Sequence, residues 1–194
     1  MGGGGCGYQS LSWRRRYRTM STRKDETLSL SAGIDVPFRV VQPDDVSALQ
    51  RFHRRLSEQT IYLRFFGSLK EFSDEKAQYF ANVDGVDHYA LVALDPDDQD
   101  EIIALVRYDR EPGEERAEYA ALVEDRWQDH GLGIDLTRRL IDKARENGVR
   151  FLYALVMGQN QRMLHLLRRL DLPEQERREQ GVKHVEVELS SEEP

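Results

Sequence analysis

The stretch Ala117–Gly133, AEYAALVEDRWQDHGLG, contains the pattern that decides the fold. Its first half is an apolar run that ends at Val123, which is typical of a buried strand, and a short polar turn follows. From Gln128 the chain opens a helix, whose first backbone N–H groups lack partners within the helix and carry a partial positive charge. Glycines at 131 and 133 would let an anion approach this backbone closely. We therefore predict an anion site at this turn, with a glycine-rich turn that binds no ligand as the alternative.

Two common phosphate-binding motifs are excluded at this turn. A dinucleotide-binding fingerprint would need a third glycine where Leu136 stands. A P-loop would need Gly-Lys followed by Ser or Thr, and that tripeptide does not follow the two glycines. The turn must therefore be interpreted together with the segments around it.

Strand and helix patterns alternate along the rest of the chain. The predicted elements are, in chain order, a strand at 37–42, a helix at 43–56, a helix or turn at 58–66, a helix at 73–82, strands at 88–94, 101–108 and 117–123, a helix around 136–144, a strand at 149–157, a helix at 159–170 and a strand at 182–189. This order predicts an α/β (α+β) fold, in which helices cover both faces of a mixed sheet.

Three blocks of this sequence resemble the GNAT superfamily of acyl-CoA-dependent N-acyltransferases. The family signature Arg/Gln-x-x-Gly-x-Gly/Ala, placed after a strand and at the start of a helix, is matched by Gln128, Gly131 and Gly133. A second block matches where a strand is followed by a helix that begins near Asn160. The stretch Ile61–Phe66, IYLRFF, is similar to the GNAT domains of bacterial protein lysine acetyltransferases. The resemblance covers about residues 36–189 and implies a mixed, mostly antiparallel central sheet of six to seven strands flanked by helices.

The resemblance also implies an acyl donor, acetyl-CoA, and the residues that bind it. In such enzymes the strand before the signature separates from its neighbour, so that its backbone can bond the pantetheine arm and the thioester carbonyl. Leu122 and Val123 occupy that strand end here. Backbone amides after the strand would hold the pyrophosphate, and an asparagine would contact the pantetheine. The residues implied for these contacts are Gln128, Asp129, His130, Gly131, Leu132, Gly133, Ile134 and Asn160.

Glu118 is the candidate catalytic residue. Acetyl transfer needs a neutral amine, and a lysine ammonium has a reference pKa of about 10.4, so that holding it neutral at pH 7 costs roughly 4–5 kcal/mol. A general base assists this step. Glu118 is a lone carboxylate in an apolar run, where burial makes a carboxylate a stronger base, and several family members have a glutamate at a comparable position. The alternative is a Glu118 that is solvated or paired with Arg107 or Arg116.

One departure from the family pattern concerns the general acid. Many members have a tyrosine seven residues after the asparagine, which protonates the departing thiolate, and this chain has Leu167 there. Asp171-Leu172 also stands where the family usually has Gly-Phe. Tyr153, His130 or solvent would then supply the proton. The departure leaves a second function open, which is a non-catalytic module that senses or binds acyl-CoA.

The composition of the 194-residue chain excludes several classes of protein. With 28 Lys plus Arg against 35 Asp plus Glu, its net charge of −7 argues against broad nucleic-acid binding. The single cysteine, Cys6, can form neither an internal disulfide nor a cysteine zinc site, and the five histidines lack metal-ligand spacing. No apolar run approaches the ~20 residues of a membrane helix. We therefore expect a cytoplasmic acetyltransferase with no metal, no nucleic-acid partner and no membrane partner. Its partners are an acyl-CoA and a primary amine, from a protein lysine or a small molecule, and a homodimer stays open.

The charge is unevenly distributed along the chain. Residues 1–19 carry +4, which leaves −11 for the remainder. We predict a disordered or weakly ordered leader at 1–35, a single domain at 36–189 and a tail at 190–194. A membrane anchor acylated at Gly2 and Cys6 is the alternative for the leader. The acidic body favours a cationic amine acceptor, and Cys6 lies outside the predicted core, so the acetyl group is expected to pass directly within a ternary complex.

Overall fold

Eight strands form one sheet within residues 26–30, 33–68 and 71–189, which are the residues that this computed structural model describes. The strands are β1 (Glu26–Ser29), β2 (Asp35–Val40), β3 (His88–Leu94), β4 (Ile102–Asp109), β5 (Arg116–Val123), β6 (Phe151–Met157), β7 (Glu174–Glu179) and β8 (Val182–Glu188). Their order across the sheet is β1-β2-β3-β4-β5-β6-β8-β7. Every pair of neighbours is antiparallel except β5 and β6, which are parallel.

Helices cover both faces of the central strands. They are α1 (Val46–Arg55), α2 (Glu58–Phe65), α3 (Asp74–Ala81), α4 (Leu132–Glu146) and α5 (Gln161–Arg168). The helix α4 places Leu132, Leu136 and Leu140 against one face, because these residues recur every four positions on one side of the helix. On the other face, α1 and α3 bury Phe52 and Phe80. Strands β3 and β4 are therefore buried almost throughout and contain continuous apolar runs.

The sheet opens between its two parallel strands. Strands β5 and β6 are in register over only three pairs, from Arg116↔Phe151 to Glu118↔Tyr153. Beyond these pairs, residues 119–123 remain paired with β4, while 154–157 remain paired with β8. The strands therefore separate at Glu118, and one backbone edge of β5 is left without a neighbouring strand.

The predicted fold class is confirmed, with two strands more than the sequence indicated at the edges of the sheet. Strand β1 has four residues, of which only Leu28 is buried. Strand β7, EQERRE, is exposed at all six positions, so it has no apolar alternation and is held by its backbone pairing with β8. Both edge strands therefore lack the hydrophobic pattern from which strands are predicted.

The proposed division of the chain is only partly within the described residues. Strand β1 lies inside the range 1–35 that was predicted as a leader. Gly2, Cys6 and the tail at 190–194 lie outside the described residues, so the division into leader, domain and tail stays a prediction. Among the helices that are described, none has both the length and the apolar character needed to cross a bilayer.

Candidate active site

A cavity of about 400 Å³ lies where β5 and β6 separate. Its walls come from β5, β6, α2, α5 and the turn that precedes α4. The turn lies at one end of this cavity and Glu118 at the other, because β5 runs from Glu118 to Val123 between them. At about 3.3 Å per residue, these five steps of strand span ~17 Å. We call the two ends the turn end and the Glu118 end.

The turn end consists of backbone N–H groups. In the described part of the chain, none of the six N–H groups of residues 129–134 donates a hydrogen bond, and the helical ladder of α4 begins only with Asp135 N to Gly131 O at 3.1 Å. Gly131 is the N-cap of α4 in the left-handed region, with φ 88°, and no side chain caps the helix there. Asp129 also has positive φ, 63°. Successive N–H groups in such a conformation form a concave site for an anion.

Gly133 is required for packing at the same place. A Cβ at Gly133 would lie 3.2 Å from Leu166 Cδ1 and 3.4 Å from Val123 Cγ2. The absence of a side chain therefore lets α4 begin close to β5 and α5. The two glycines of the signature have different tasks, since Gly131 supplies a conformation and Gly133 supplies space.

Helix α2 is attached to the turn end by hydrogen bonds. Asp125 accepts from the Ser57 N–H at 2.9 Å, from Ser57 Oγ at 2.6 Å and from Thr60 Oγ1 at 2.9 Å. Gln128 Nε2 donates to the Val123 carbonyl at 2.9 Å and to Thr60 Oγ1 at 3.3 Å. Partial burial acts to raise the pKa of Asp125, but the bonds from Ser57 and Thr60 outweigh it and hold that pKa below its usual value. The side chain of Gln128 thus joins α2 to the end of β5.

Glu118 lies at the last paired position before the strands separate. Its register neighbours are Asp109 on β4 and Tyr153 on β6, so the three side chains share one face of the sheet. Neither alternative partner is used, because Arg107 bonds to Asp109 and Arg116 pairs with Glu186. Within the described residues, the Glu118 carboxylate has no hydrogen bond or ion pair, and it faces the cavity.

A buried polar cluster supports the strand beside Glu118. Arg107 is only 2% exposed and donates from Nε to Asp109 Oδ2 at 2.7 Å. Its guanidinium lies 4.9 Å from the ring centre of Tyr79 and 4.3 Å from that of Phe80. His88 Nδ1 lies 2.9 Å from Asp109 Oδ1. Burial acts to raise the pKa of Asp109, but Arg107 and His88 hold it below its usual value. The charge of Asp109 is therefore balanced within this cluster.

Arg64, in the last turn of α2, lines the same end of the cavity as Glu118. Burial lowers the pKa of its guanidinium, and the nearby charge of Glu118 acts in the opposite direction. The guanidinium carbon lies 5.3 Å from the ring centre of Phe65. No side chain or backbone group among the described residues accepts a hydrogen bond from it. No role was predicted for Arg64, although it lies within the IYLRFF stretch that resembled known acetyltransferases.

The structure brings most of the predicted site residues together. Those that line the cavity are Glu118, Leu122, Val123, Gln128, Asp129, Gly131, Gly133, Ile134 and Asn160. Two do not line it: the side chain of Leu132 is buried in the core, and His130 is exposed with Nδ1 2.6 Å from the Gln128 carbonyl. Asn160 accepts from the Met163 N–H at 3.1 Å and so caps α5. The roles assigned to all of these residues stay predictions.

The candidates for the general acid are separated by their positions. Leu167 is 3% exposed and packs in the core, so the position where relatives have tyrosine does not line the cavity. Tyr153 lies beside Glu118, and burial together with the charge of Glu118 raises the pKa of its hydroxyl. The imidazole of His130 lies outside the cavity wall.

Comparison with known proteins gives consistent matches. A family model described as Acetyltransferase (GNAT) family matches residues 50–171. An acetyltransferase of Pseudomonas aeruginosa is 33% identical over 139 residues, which are 71% of this chain and 75% of that protein. The GNAT domain of S. lividans PAT superposes with a TM-score of 0.78 at 28% identity, covering 84% of this chain and 96% of that one. A phosphinothricin acetyltransferase from Sinorhizobium meliloti, solved in complex with acetyl-CoA, shares the fold at a TM-score of 0.62 and 17% identity, covering 79% of this chain and 88% of that one.

Proposed function

Because the chain belongs to the acetyltransferase (GNAT) family, we propose that it transfers an acetyl group from acetyl-CoA to a primary amine. The proposal rests on three features that lie along one cavity. Six backbone N–H groups that donate no hydrogen bond suit a pyrophosphate, and the open edge of β5 suits an extended arm that contains amides. The carboxylate of Glu118, at the far end of that edge, suits an amine.

The residues of the turn end fit the anionic part of acetyl-CoA. The free N–H groups of 129–134 would hold the pyrophosphate beside Arg162, which lines the same cavity and pairs with Asp129. Beyond the turn, the unpaired edge of β5 offers backbone groups to the pantetheine amides, and Asn160 Nδ2 has no acceptor among the described residues. The Sinorhizobium phosphinothricin acetyltransferase, which shares the fold, was solved in complex with acetyl-CoA.

The Glu118 end fits the acceptor chemistry. The thioester of acetyl-CoA supplies an electrophilic carbonyl, which the amine nitrogen attacks directly while both substrates are bound. Glu118 accepts the proton that the ammonium must lose, and its open position beside the cavity lets it do so directly or through one water. When the carbon–sulfur bond breaks, the nitrogen loses its second proton to solvent, and CoA leaves as a thiolate, which takes a proton from Tyr153 or from solvent. A thiol pKa of about 8.5 makes that thiolate an acceptable leaving group.

The proposal also covers the class of amine acceptor and the cellular location of the activity. The amine belongs to a protein lysine or to a small molecule, and the activity is expected in the cytoplasm without a metal. Among the described residues, α2 and the surrounding loops form the wall on the acceptor side, so they are expected to select the amine.

The proposal is tested by release of free CoA thiol from acetyl-CoA and from longer acyl-CoAs, over a panel of amines, amino acids and lysine peptides. We expect thiol release that depends on one amine class, with one acetylated amine formed per CoA. Mass spectrometry of the acceptor identifies the acetylated nitrogen. Absence of thiol release over the whole panel would contradict the enzyme proposal.

A non-catalytic acyl-CoA-binding module is the second candidate, because Leu167 replaces the family tyrosine and is buried in the core. The two candidates differ in turnover. If acetyl-CoA raises the melting temperature but no acceptor releases CoA, the binding module is supported.

A further inference from the structure

The Glu118 end of the cavity contains two opposite charges that the described residues leave without a direct partner. Glu118 has no ion pair, and Arg64 has neither an ion pair nor a hydrogen bond. Both side chains line the cavity, close enough for the charge of Glu118 to affect the pKa of Arg64, and among the described residues they do not form an ion pair with each other. The end therefore presents one anionic and one cationic group to whatever occupies the cavity.

The other charges near this end are already balanced. Asp109 is bonded to Arg107 and His88, and Arg116 is paired with Glu186. These partners are held on neighbouring strands by the register of the sheet, so they are not available to Arg64 or Glu118. The opposite charges of Arg64 and Glu118 are what this end offers to a ligand.

We propose that the acceptor is a small zwitterion of the amino-acid class, whose carboxylate binds Arg64 while its amine faces Glu118. This inference rests on the proposed acetyl transfer and specifies its acceptor. An arginine is suited to this task because its planar guanidinium can bond both oxygens of a carboxylate. The transfer itself is unchanged: the amine nitrogen forms the amide bond, the carbon–sulfur bond breaks, and Glu118 takes the ammonium proton.

Two other occupants fit the two charges less well. The phosphates of acetyl-CoA belong at the turn end, which is ~17 Å away along β5. A lysine side chain in a peptide would bring an ammonium to Glu118 without bringing an anion to Arg64, and it would leave a partly buried cation unpaired, which is unfavourable. A free amino acid matches both charges within one small molecule.

The test compares each active amino acid with its methyl ester and with the amine that lacks the carboxylate. We expect kcat/KM to be at least about tenfold higher for the amino acid, which corresponds to roughly 1.4 kcal/mol. Arg64→Ala should abolish this preference while acetyl-CoA affinity stays the same, and Arg64→Lys should restore part of it. Arg54→Ala is the matched control, because Arg54 is an exposed arginine on α1 away from the cavity.

The outcomes separate this inference from the proposed function. The zwitterion proposal would be wrong if the amino acid and its ester reacted at equal rates, if Arg64→Ala slowed both reactions equally, or if only lysine peptides were acetylated. None of these results would contradict the proposed acetyltransferase activity. If no acceptor releases CoA, the proposed function fails, and calorimetric binding of amino acids in the presence of CoA then decides the inference. Binding that Arg64→Ala weakens supports it, and absence of binding overturns it. Melting temperatures establish that each variant is folded.

Discussion

The two ends of the cavity are built from different parts of the polypeptide. The turn end is made of backbone N–H groups and two glycines that follow one another closely in the sequence. The Glu118 end is made of side chains from α2 and from separate strands, which the register of the sheet brings together. A backbone site keeps its ligand when side chains change, whereas a side-chain site can change its ligand by substitution. The comparison predicts that each end can be damaged without the other.

The largest effect is expected from Glu118→Gln. The amide keeps the size of the side chain but cannot accept the ammonium proton, so we expect turnover to fall by about 10²–10⁴-fold, the usual contribution of a general base. Acetyl-CoA affinity should not change, because the N–H groups of the turn are intact. Thiol release and calorimetry measure the two quantities. Glu114→Gln, in the exposed turn before β5, is the control; equal turnover in the two variants would remove Glu118 from the mechanism.

A smaller effect, on the opposite end, is expected from Gly131→Ala. An alanine is strained at φ 88° by roughly 1–2 kcal/mol, and relief of that strain would turn the N–H groups away from the anion. We expect acetyl-CoA affinity to fall by about tenfold, which is ~1.4 kcal/mol.

Gly148→Ala is the matched control for this variant. Gly148 lies at the other end of α4 with φ 78°, and a Cβ there would meet nothing within 4 Å. Both variants should therefore lose a similar amount of stability, and only Gly131→Ala should lose affinity. Equal affinities would show that the conformation of the turn does not hold the donor.

The connection between the two ends is tested by Asp125→Ala. This change removes the acceptor for Ser57 and Thr60, so that the first turn of α2 keeps only the bond from Gln128 to Thr60 at the turn end. We expect a rise of about fivefold in the acceptor KM, which corresponds to roughly 1 kcal/mol, the net contribution of a typical intramolecular hydrogen bond, with acetyl-CoA affinity nearly unchanged. Asp142→Ala, which removes only an exposed pair with Arg145, should leave both constants as they are.

The smallest effect is expected in the pH dependence of the free energy of unfolding, through His53. His53 lies beneath α2 with its ring 5.3 Å from that of Phe72, and burial, followed by Lys76 and Arg54, lowers its pKa from the usual value. The unfolded chain therefore binds more protons, and the free energy of unfolding must decrease as the pH falls through about 6.5. His53→Phe should reduce this decrease between pH 7.5 and 5 in denaturant titrations. His184→Phe, at an exposed position on β8, should not.

The fold could be predicted from the sequence wherever burial imposes an apolar pattern. Strands β3 and β4 have continuous apolar runs, the helix α4 has apolar residues at helical spacing, and the positions of all three were confirmed. The edge strands β1 and β7 could not be predicted, since pairing at one edge needs backbone groups rather than apolar side chains. A sequence also does not show which residues on separate strands become neighbours. The carboxylate of Glu118 was a candidate from its apolar context, but its position between Asp109 and Tyr153 depends on the sheet register.

The site divides in the same way. The turn was predictable because its glycines and its helix start are consecutive in the sequence. Arg64 was not, because its proximity to Glu118 requires α2 to cross the open edge of β5. The absence of a tyrosine at position 167 was visible in the sequence, whereas the burial of Leu167 in the core is shown only by the packing of α5.

The central claim is that the free N–H groups of residues 129–134 hold the acetyl-CoA anion. Amide hydrogen exchange of the full chain, with and without saturating acetyl-CoA, tests it most directly. We expect slower exchange for these six amides and along residues 119–123 of β5. The amides of Gly148 and of β7 should remain unaffected. Saturable acetyl-CoA binding with unchanged exchange at 129–134, and protection elsewhere in the chain, would contradict it.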